Sequence, residues 1–259
     1  MRVVLLFCSA FLLSSAGALV LAQTAARPNR AAAIQDLVIA NHILANEGVV
    51  DAFGHVSIRD PANPNRFLIA RSVAPGSVVA ADILEFDLDS KAVVANPPAL
   101  YSERFIHGEI YKVRPDVMAV VHCHAPEVIP FSVTGVPLRA IVHVGGFLGD
   151  GIPVFEIRDA DGITDMLVSN TKRGSALART LGSKPAALMR GHGAVVTSDT
   201  LHSVVGRAYY MNFNARLQYQ AMQMGGTVKY LDPEEARLAA PQNGFERAWD
   251  FWKQRAGGK

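Results

Sequence analysis

The chain has 259 residues, of which 50% are hydrophobic and 19% charged, and its 25 basic and 23 acidic side chains leave a formal net charge of +2. This composition excludes an intrinsically disordered chain, and two cysteines are too few for a disulfide-stabilised scaffold. The charge surplus is small and forms no block, so we expect no nucleic-acid partner. The length suits a globular protein of one large domain or two small ones.

The first 22 residues are typical of a secretory signal. Arg2 precedes an apolar, acid-free stretch that is short for a membrane span, and residues 20–22 supply the small or modest side chains of a cleavage site. We therefore predict a signal peptide over residues 1–22, export to the periplasm and no membrane partner after cleavage; an uncleaved anchor is the alternative. The remaining chain, 23–259, is predicted to be a single domain whose one cysteine, Cys123, forms no internal disulfide.

The next part of the chain contains one helix followed by short strands. Apolar spacing predicts an amphipathic helix over 30–47, ended by Gly48. A stretch rich in proline and asparagine, residues 60–65, is typical of the loop of a long hairpin. The predicted strands are 54–58, 67–70 and 83–88.

From residue 102 onward helices and strands mix without a regular alternation. Ser102 is a predicted N-cap for a helix that runs to about Val113, and 117–124 is a predicted buried strand. Further strands are predicted at 140–144, 153–157 and 186–189, and further helices at 170–181, at 201–224 with Ser198 or Asp199 as cap, and from 232. This order predicts one α/β domain with a largely antiparallel sheet.

Two histidines near the end of a predicted strand form a candidate metal pair. Strand alternation places His122 and His124 on one face and Cys123 on the other, although two hydrogen-bonded core histidines would give the same pattern. His192 stands between two glycines after another apolar run, where the backbone can approach closely. Three imidazoles around a divalent ion leave a coordination position open, as in catalytic sites.

Glu103 is the candidate carboxylate, 19 residues before the first of these histidines. It lies in the first turn of a predicted helix, where the helix dipole favours an acidic residue in any case, so a structural role is the alternative. One helical turn later, His107 either supports the site or lies on a plain helix face.

Taken together, these motifs resemble the class II aldolase/adducin family over residues 31–231. The resemblance implies that His122, His124 and His192 bind one divalent metal ion and that Glu103 is the catalytic carboxylate. Zinc, manganese, iron and cobalt all accept three imidazoles; three-histidine geometry favours zinc, and the decarboxylase members resemble manganese enzymes, so zinc or manganese is expected. It also implies a three-layer α/β/α sandwich with a mainly antiparallel central sheet and a homotetramer. An apolar C-terminal stripe suits the expected subunit contact; it consists of Phe245, Trp249, Phe251 and Trp252.

The sequence departs from the sugar-phosphate members of that family where they bind phosphate. Their small hydrogen-bond donors are replaced by His55 in the segment 54–57, by Arg71 in 70–76 and by a tyrosine before Ser102. An arginine can hold a planar carboxylate through two parallel hydrogen bonds. We therefore predict His55, Arg71 and Ser72 as substrate-binding residues for a small-molecule acid, with His55 donating to a substrate oxygen or shuttling a proton.

These changes, with the segments 103–107 and 131–134, resemble the decarboxylase branch of the family. The predicted function is divalent-metal-dependent carbon–carbon bond cleavage, with decarboxylation of a small hydroxy-substituted aromatic or ring-cleavage carboxylic acid as the leading reaction. A bound cation would stabilise the charge that develops on the substrate oxygen. Two alternatives stay open: a class II aldolase that cleaves a non-phosphorylated aldol, and a non-catalytic adducin-like module.

Overall fold

The computed structural model describes residues 29–240 and 244–257. The predicted signal peptide, residues 1–22, lies outside the described residues, and so does the predicted start of the exported domain, 23–28. Within the described ranges, no helix is both long and apolar enough to cross a lipid bilayer.

Seven strands form one sheet in the order β3-β2-β1-β4-β7-β6-β5. Neighbouring strands are antiparallel except β5 and β6, which confirms the predicted mainly antiparallel sheet. The strands are β1 (His55–Arg59), β2 (Arg66–Ala70), β3 (Ile83–Asp87), β4 (Ala119–Cys123), β5 (Val154–Phe155), β6 (Ala186–Met189) and β7 (Gly193–Ser198).

Helices cover both faces of this sheet and complete the predicted three-layer α/β/α sandwich. The α-helices of the described residues are α1 (Arg30–Asn46), α2 (Phe105–Val113), α3 (Ile129–Thr134), α4 (Ile157–Asp161), α5 (Thr171–Leu181), α6 (Leu201–Gln223), α7 (Pro233–Ala239) and α8 (Glu246–Arg255). Helices α1, α6 and α8 pack in the core on one face, whereas α2 and α5 pack in the core on the other. The sequence predicted the body of α1, α2, α5, α6 and α7.

Strand alternation decides which side chains enter each core. Along β4, Val121 joins the core beneath α1 and α6, whereas Val120 joins the core beneath α2 and α5. His122 has the same parity as Val120, so its side chain lies on the α2 side of the sheet. His55 is its cross-strand partner on β1 and lies on the same side, where α2 packs against both strands. The ends of β1 and β4 therefore bring polar side chains together under α2.

The predicted strand at 140–144 is absent. Its backbone is satisfied by other groups, because the N–H of Ile141 donates to the Asn214 side chain and the carbonyl of Ala140 accepts from Leu231. A 3₁₀ turn, His143–Leu148, follows instead. A buried asparagine on α6 thus takes the place of a neighbouring strand, and the local sequence carries no sign of that long-range contact.

Three further details differ from the sequence predictions. Strand β7 was not predicted, since Gly193 was assigned to the glycine motif rather than to a strand start. The predicted N-cap Ser102 instead begins a 3₁₀ turn, Ser102–Arg104, that precedes α2. Thr200, rather than Ser198 or Asp199, caps α6 by accepting from the Ser203 backbone N–H.

The aromatic stripe near the C-terminus is largely internal to this chain. Trp249 and Trp252 are buried in the core with α1 and α6, and Phe245 stacks on Tyr210. Phe251 is 56% exposed. Of the four aromatic residues, Phe251 is therefore the most exposed, and the expected subunit contact stays a prediction.

Candidate metal centre and active-site cleft

Four side chains from separate parts of the chain converge at one end of the sheet. His122 lies near the end of β4, His124 directly after it, and His192 in the turn between β6 and β7. Glu103 lies in the 3₁₀ turn before α2. One ligand atom from each residue lies within 4.8 Å of the ligand atoms of the other three. The structure thus brings together the three predicted ligands and the predicted carboxylate.

The glycines around His192 permit this convergence. Gly191 has a φ of +63°, which glycine adopts without strain. At Gly193, a Cβ atom would collide with the carbonyl oxygen of Cys123 on the neighbouring strand β4. The absence of a side chain at both positions lets the β6–β7 turn bring His192 against the end of β4.

Backbone carbonyls orient two of the three imidazoles. The Nδ1–H of His122 donates to the carbonyl of Ala194 at 3.1 Å, and the Nδ1–H of His192 donates to the carbonyl of Met166 at 3.1 Å. Met166 is held at a φ of +66°, an uncommon conformation for a residue with a side chain. In this arrangement the Nε2 atom of each ring faces the centre, as is usual for metal-binding histidines.

A carboxylate orients the third imidazole. Asp51 accepts from Nδ1 of His124 at 3.2 Å and thereby holds this ring by the same edge as the other two. This carboxylate–histidine pair is a frequent companion of a metal ligand, because it fixes the ring and raises its basicity. The sequence analysis missed Asp51, which lies 73 positions away from His124.

The three Nε2 atoms are arranged to bind a cation rather than to hydrogen-bond with one another. With Nδ1 carrying the hydrogen, the lone pairs of His124 Nε2 and His192 Nε2 face each other across 3.1 Å. Among the described residues, His122 Nε2 is buried without a hydrogen-bond partner, although Glu103 Oε2 lies 3.3 Å away. Three converging lone pairs form the donor set of a catalytic divalent-metal site.

Glu103 is anchored with one oxygen facing this centre. Its Oε1 accepts from the backbone N–H of Val168 at 2.8 Å, and its Oε2 lies 3.3 Å from His122 Nε2 and 3.4 Å from His192 Nε2. Burial alone raises the pKa of this carboxyl, but positive charge at His122 and His192 outweighs burial and lowers the pKa well below its usual range; a cation bound by the neutral rings would act in the same direction. Glu103 is therefore ionised and suited to accept a proton or to act as a fourth ligand.

A cleft of about 670 Å³ opens directly onto Glu103 and His124. Apolar and aromatic side chains form most of its walls and polar side chains converge at the metal centre, as is typical of pockets for small organic ligands. The lining residues include Phe53, Val73, Leu100, Tyr101 and Leu167. The Tyr101 hydroxyl donates to the Val73 carbonyl, and burial raises the pKa of Tyr101 to about 12, so this wall is uncharged.

The three predicted substrate-binding residues have different positions. His55 and Ser72 line the cleft. Arg71 is not among its lining residues, and its Nε donates to Asp82 Oδ1 at 2.7 Å in an ion pair. A role for Arg71 in binding a carboxylate stays a prediction. Cys123 is buried in the core as predicted, and burial raises the pKa of its thiol to about 11.

The sequence analysis left three polar residues behind the cleft unassigned or undecided. His107, on α2, contacts His55 through a hydrogen bond of 2.7 Å and therefore supports the site rather than lying on a plain helix face. Ser57 and Tyr111 continue this hydrogen-bonded chain. Ser57 lies two residues after His55, a spacing that places both on the same face of a strand.

Comparison with known proteins shows the same family as the motifs. The family described as "Class II Aldolase and Adducin N-terminal domain" matches residues 35–219. The decarboxylase tropJ of Talaromyces stipitatus is 34% identical, over 82% of this chain and 89% of its own. A 3,4-dihydroxyphthalate decarboxylase of Arthrobacter keyseri is 29% identical, over 88% of this chain and 95% of its own.

A solved structure shows the same fold. The aldolase II superfamily protein from Pseudomonas syringae superposes with a TM-score of 0.71, covering 88% of this chain and 93% of its own, at 19% sequence identity. The similarity extends over nearly all of both chains, so the two proteins share the whole fold rather than one part of it.

Proposed function

Because the chain belongs to the class II aldolase and adducin family, we propose that it is a divalent-metal-dependent lyase that decarboxylates a small hydroxy-substituted aromatic or ring-cleavage carboxylic acid. Its curated relatives include decarboxylases, and the chain is an enzyme of this family. One observation carries the proposal: three imidazole Nε2 atoms and an ionised carboxylate converge at a cleft whose walls are apolar and aromatic. Such walls suit a flat organic acid.

The reaction breaks the bond between a substrate carbon and its carboxylate, which leaves as carbon dioxide. The bonding electron pair stays on the substrate carbon and is delocalised towards the neighbouring hydroxyl or enol oxygen. A divalent cation held by His122, His124 and His192 supplies positive charge beside the oxygens on which this electron density accumulates. Zinc and manganese both accept three imidazoles, and we propose one of these two ions.

Glu103 is the group placed to move the proton. Its ionised carboxylate takes the proton of the substrate hydroxyl and returns it to the carbon that has lost carbon dioxide; the substrate oxygen regains a proton from water on release. The Val168 N–H binds Oε1 of this carboxylate, so Oε2 is the oxygen that faces the substrate. Phe53, exposed at the cleft, and Tyr101 contact the flat face of the acid in this arrangement.

A carbon-dioxide release assay tests this function. The full-length protein, loaded with zinc or manganese, is expected to release carbon dioxide from members of a panel of ortho-hydroxy aromatic acids and ring-cleavage acids. Glu103→Gln keeps the size of the side chain and removes its charge, so we expect about 10²–10⁴-fold slower release with the metal still bound. Aldehyde formation from non-phosphorylated aldols without any carbon-dioxide release would contradict decarboxylation and favour the aldolase alternative.

Two further proposals concern the location and assembly of the chain. The apolar, acid-free residues 1–22 support export to the periplasm, and the family resemblance supports a homotetramer. A mature N-terminus at Gln23 in a periplasmic fraction is the expected result for export. Light scattering of the purified protein is expected to give the mass of four chains, and a monomer would contradict the proposed assembly.

A further inference from the structure

A chain of hydrogen bonds runs from the core under α2 to the cleft. The Tyr111 hydroxyl lies 2.9 Å from Ser57 Oγ, and Ser57 Oγ lies 2.6 Å from His107 Nδ1. His107 Nε2 in turn lies 2.7 Å from His55 Nδ1. All four side chains are buried, and His55 lines the cleft at the end of the chain. The proposed reaction gives no role to the first three residues.

The number of hydrogens in this chain determines its direction. The Tyr111 oxygen accepts from the backbone of Val120, a contact that lowers the pKa of Tyr111, and Ser57 Oγ is the side-chain partner of the same hydroxyl, so the Tyr111 hydrogen is satisfied when it points to Ser57. The Ser57 hydrogen then points to His107 Nδ1. His107 consequently carries its hydrogen on Nε2 and donates it to His55 Nδ1, which leaves the hydrogen of His55 on Nε2.

The other arrangements each leave one buried hydroxyl hydrogen without an acceptor. If Ser57 donated to Tyr111, the Tyr111 hydrogen would have no acceptor in the described part of the chain. If both Tyr111 and His107 donated to Ser57, the Ser57 hydrogen would have none. Buried polar hydrogens are almost always paired, so these arrangements are disfavoured.

Both histidines are neutral, as this hydrogen count requires. Burial lowers the pKa of His107 to about 3, and burial together with the neighbouring imidazoles lowers the pKa of His55 well below its usual value. A neutral imidazole has one donor and one acceptor nitrogen, so a bond at one nitrogen fixes the role of the other.

We propose that Ser57 and His107 hold His55 in the tautomer that carries its hydrogen on Nε2, so that His55 donates a hydrogen bond to an anionic oxygen of the acid in the cleft. Ser57 and His107 are positioning residues, Tyr111 supplies the donor that turns the Ser57 hydrogen towards His107, and His55 contacts the substrate. A fixed donor at this position favours a carboxylate or phenolate oxygen over a group that can only donate, such as an ammonium. The assignment of an acid rests on the proposed function, whereas the tautomer does not.

Nitrogen-15 NMR of the imidazole rings reads the tautomer directly in the metal-free, full-length protein. The His55 resonances are identified by their loss in His55→Gln. We expect Nε2 of His55 to carry the hydrogen and Nδ1 to be bare; a hydrogen on Nδ1 would overturn the proposal. Because the measurement needs neither substrate nor metal, it fails or succeeds independently of whether the enzyme releases carbon dioxide.

Two matched variants test whether Ser57 sets the tautomer. Ser57→Ala removes the hydrogen that occupies His107 Nδ1, so we expect a mixture of His55 tautomers. Tyr111→Phe leaves Ser57 with His107 as its acceptor, so we expect the Nε2–H tautomer to persist. An unchanged His55 spectrum in folded Ser57→Ala would contradict the positioning role.

Binding of salicylate to the zinc-loaded protein tests the donor itself. The His55→Gln side chain retains an N–H donor, and we expect its Kd to stay within about threefold of the wild-type value, whereas His55→Leu is expected to bind about tenfold or more weakly. The same contrast in Kd is expected between His107→Gln and His107→Leu. His107→Leu is expected to lose less affinity than His55→Leu, because His55 is still present. Equal Kd values for His55→Gln and His55→Leu would overturn the donor role.

Discussion

Two sets of histidines lie side by side in this protein and differ in which ring nitrogens have a hydrogen-bond partner. His122, His124 and His192 direct their Nε2 lone pairs at a common centre that offers no hydrogen to them. His55 and His107 lie next to them, with 5.1 Å between the ring centroids of His55 and His122, yet the bond between these two rings and the Ser57 bond supply a hydrogen to the lone pair of each ring and leave only the Nε2–H of His55 free for the cleft.

This difference in hydrogen-bond partners, rather than burial, tells a metal ligand from a positioning residue. His122 is as buried as His107, whereas His124 and His192 are partly exposed, so burial alone does not identify a metal ligand. What distinguishes the two sets is whether the lone pair of each ring accepts a hydrogen from the protein. A group of lone pairs that accept none is stabilised by a cation, whereas a ring whose lone pair already accepts a hydrogen needs no cation.

The largest expected effect is a difference in zinc affinity between variants of the two sets. His122→Ala removes one of three ligands, so we expect zinc affinity to fall by more than about 100-fold, beyond the loss typical of an outer-shell change. His107→Gln is the matched control from the positioning set and is expected to bind zinc as the wild type does. Calorimetric titration with zinc measures both, and equal losses in the two variants would break the comparison.

A smaller effect is expected at Asp51, which touches the centre only through His124. Asp51→Ala removes the acceptor that orients this ring, so we expect about 10–100-fold weaker zinc binding. Asp116→Ala is the control, because Asp116 is an exposed carboxylate paired with Arg114. Zinc affinity in Asp51→Ala equal to that in the control would show that the ring needs no such support.

The smallest effect concerns the stability of the positioning set in acid. The pKa of His107 is about 3 in the folded protein and near 6.5 when unfolded, so below pH 6.5 the unfolded chain binds a proton that the folded chain does not. Stability is therefore lost as the pH falls from 6.5 towards 3. Between pH 6.5 and 5 this histidine contributes a loss of about 1.6 kcal/mol.

Urea unfolding of the metal-free protein at these two pH values measures this loss. His107→Gln has no titrating group at this position, so its free energy of unfolding is expected to fall by about 1.6 kcal/mol less than that of the wild type over the same interval. The same pH dependence in both proteins would show that His107 is protonated in the folded state.

The sequence predicted the parts of the site that depend on local periodicity. Alternation along β4 placed His122, and the glycines around His192 indicated a close backbone approach, which the collision at Gly193 explains. Family resemblance joined Glu103 to them. The predicted fold layers and most helices depend on the same short-range patterns.

The parts that the sequence did not predict depend on contacts between distant residues. Asp51 orients His124 across 73 positions, and Asn214 replaces a strand partner for the segment around Ile141 across the same separation of 73 positions. The pairing of Arg71 with Asp82 likewise became visible only once β2 and the turn before β3 were placed. No periodicity in the chain encodes these pairs, because each is set by how the layers pack.

X-ray absorption at the zinc edge of the zinc-loaded, full-length protein tests the metal centre most directly. The account predicts three imidazole nitrogens at about 2.0–2.1 Å, with the remaining positions filled by oxygen. It also predicts that the imidazole signal falls by one ring in His122→Ala when that variant is saturated with zinc. A sulfur at about 2.3 Å, which would come from a cysteine such as Cys123, or a shell of oxygens without imidazole, would contradict the account.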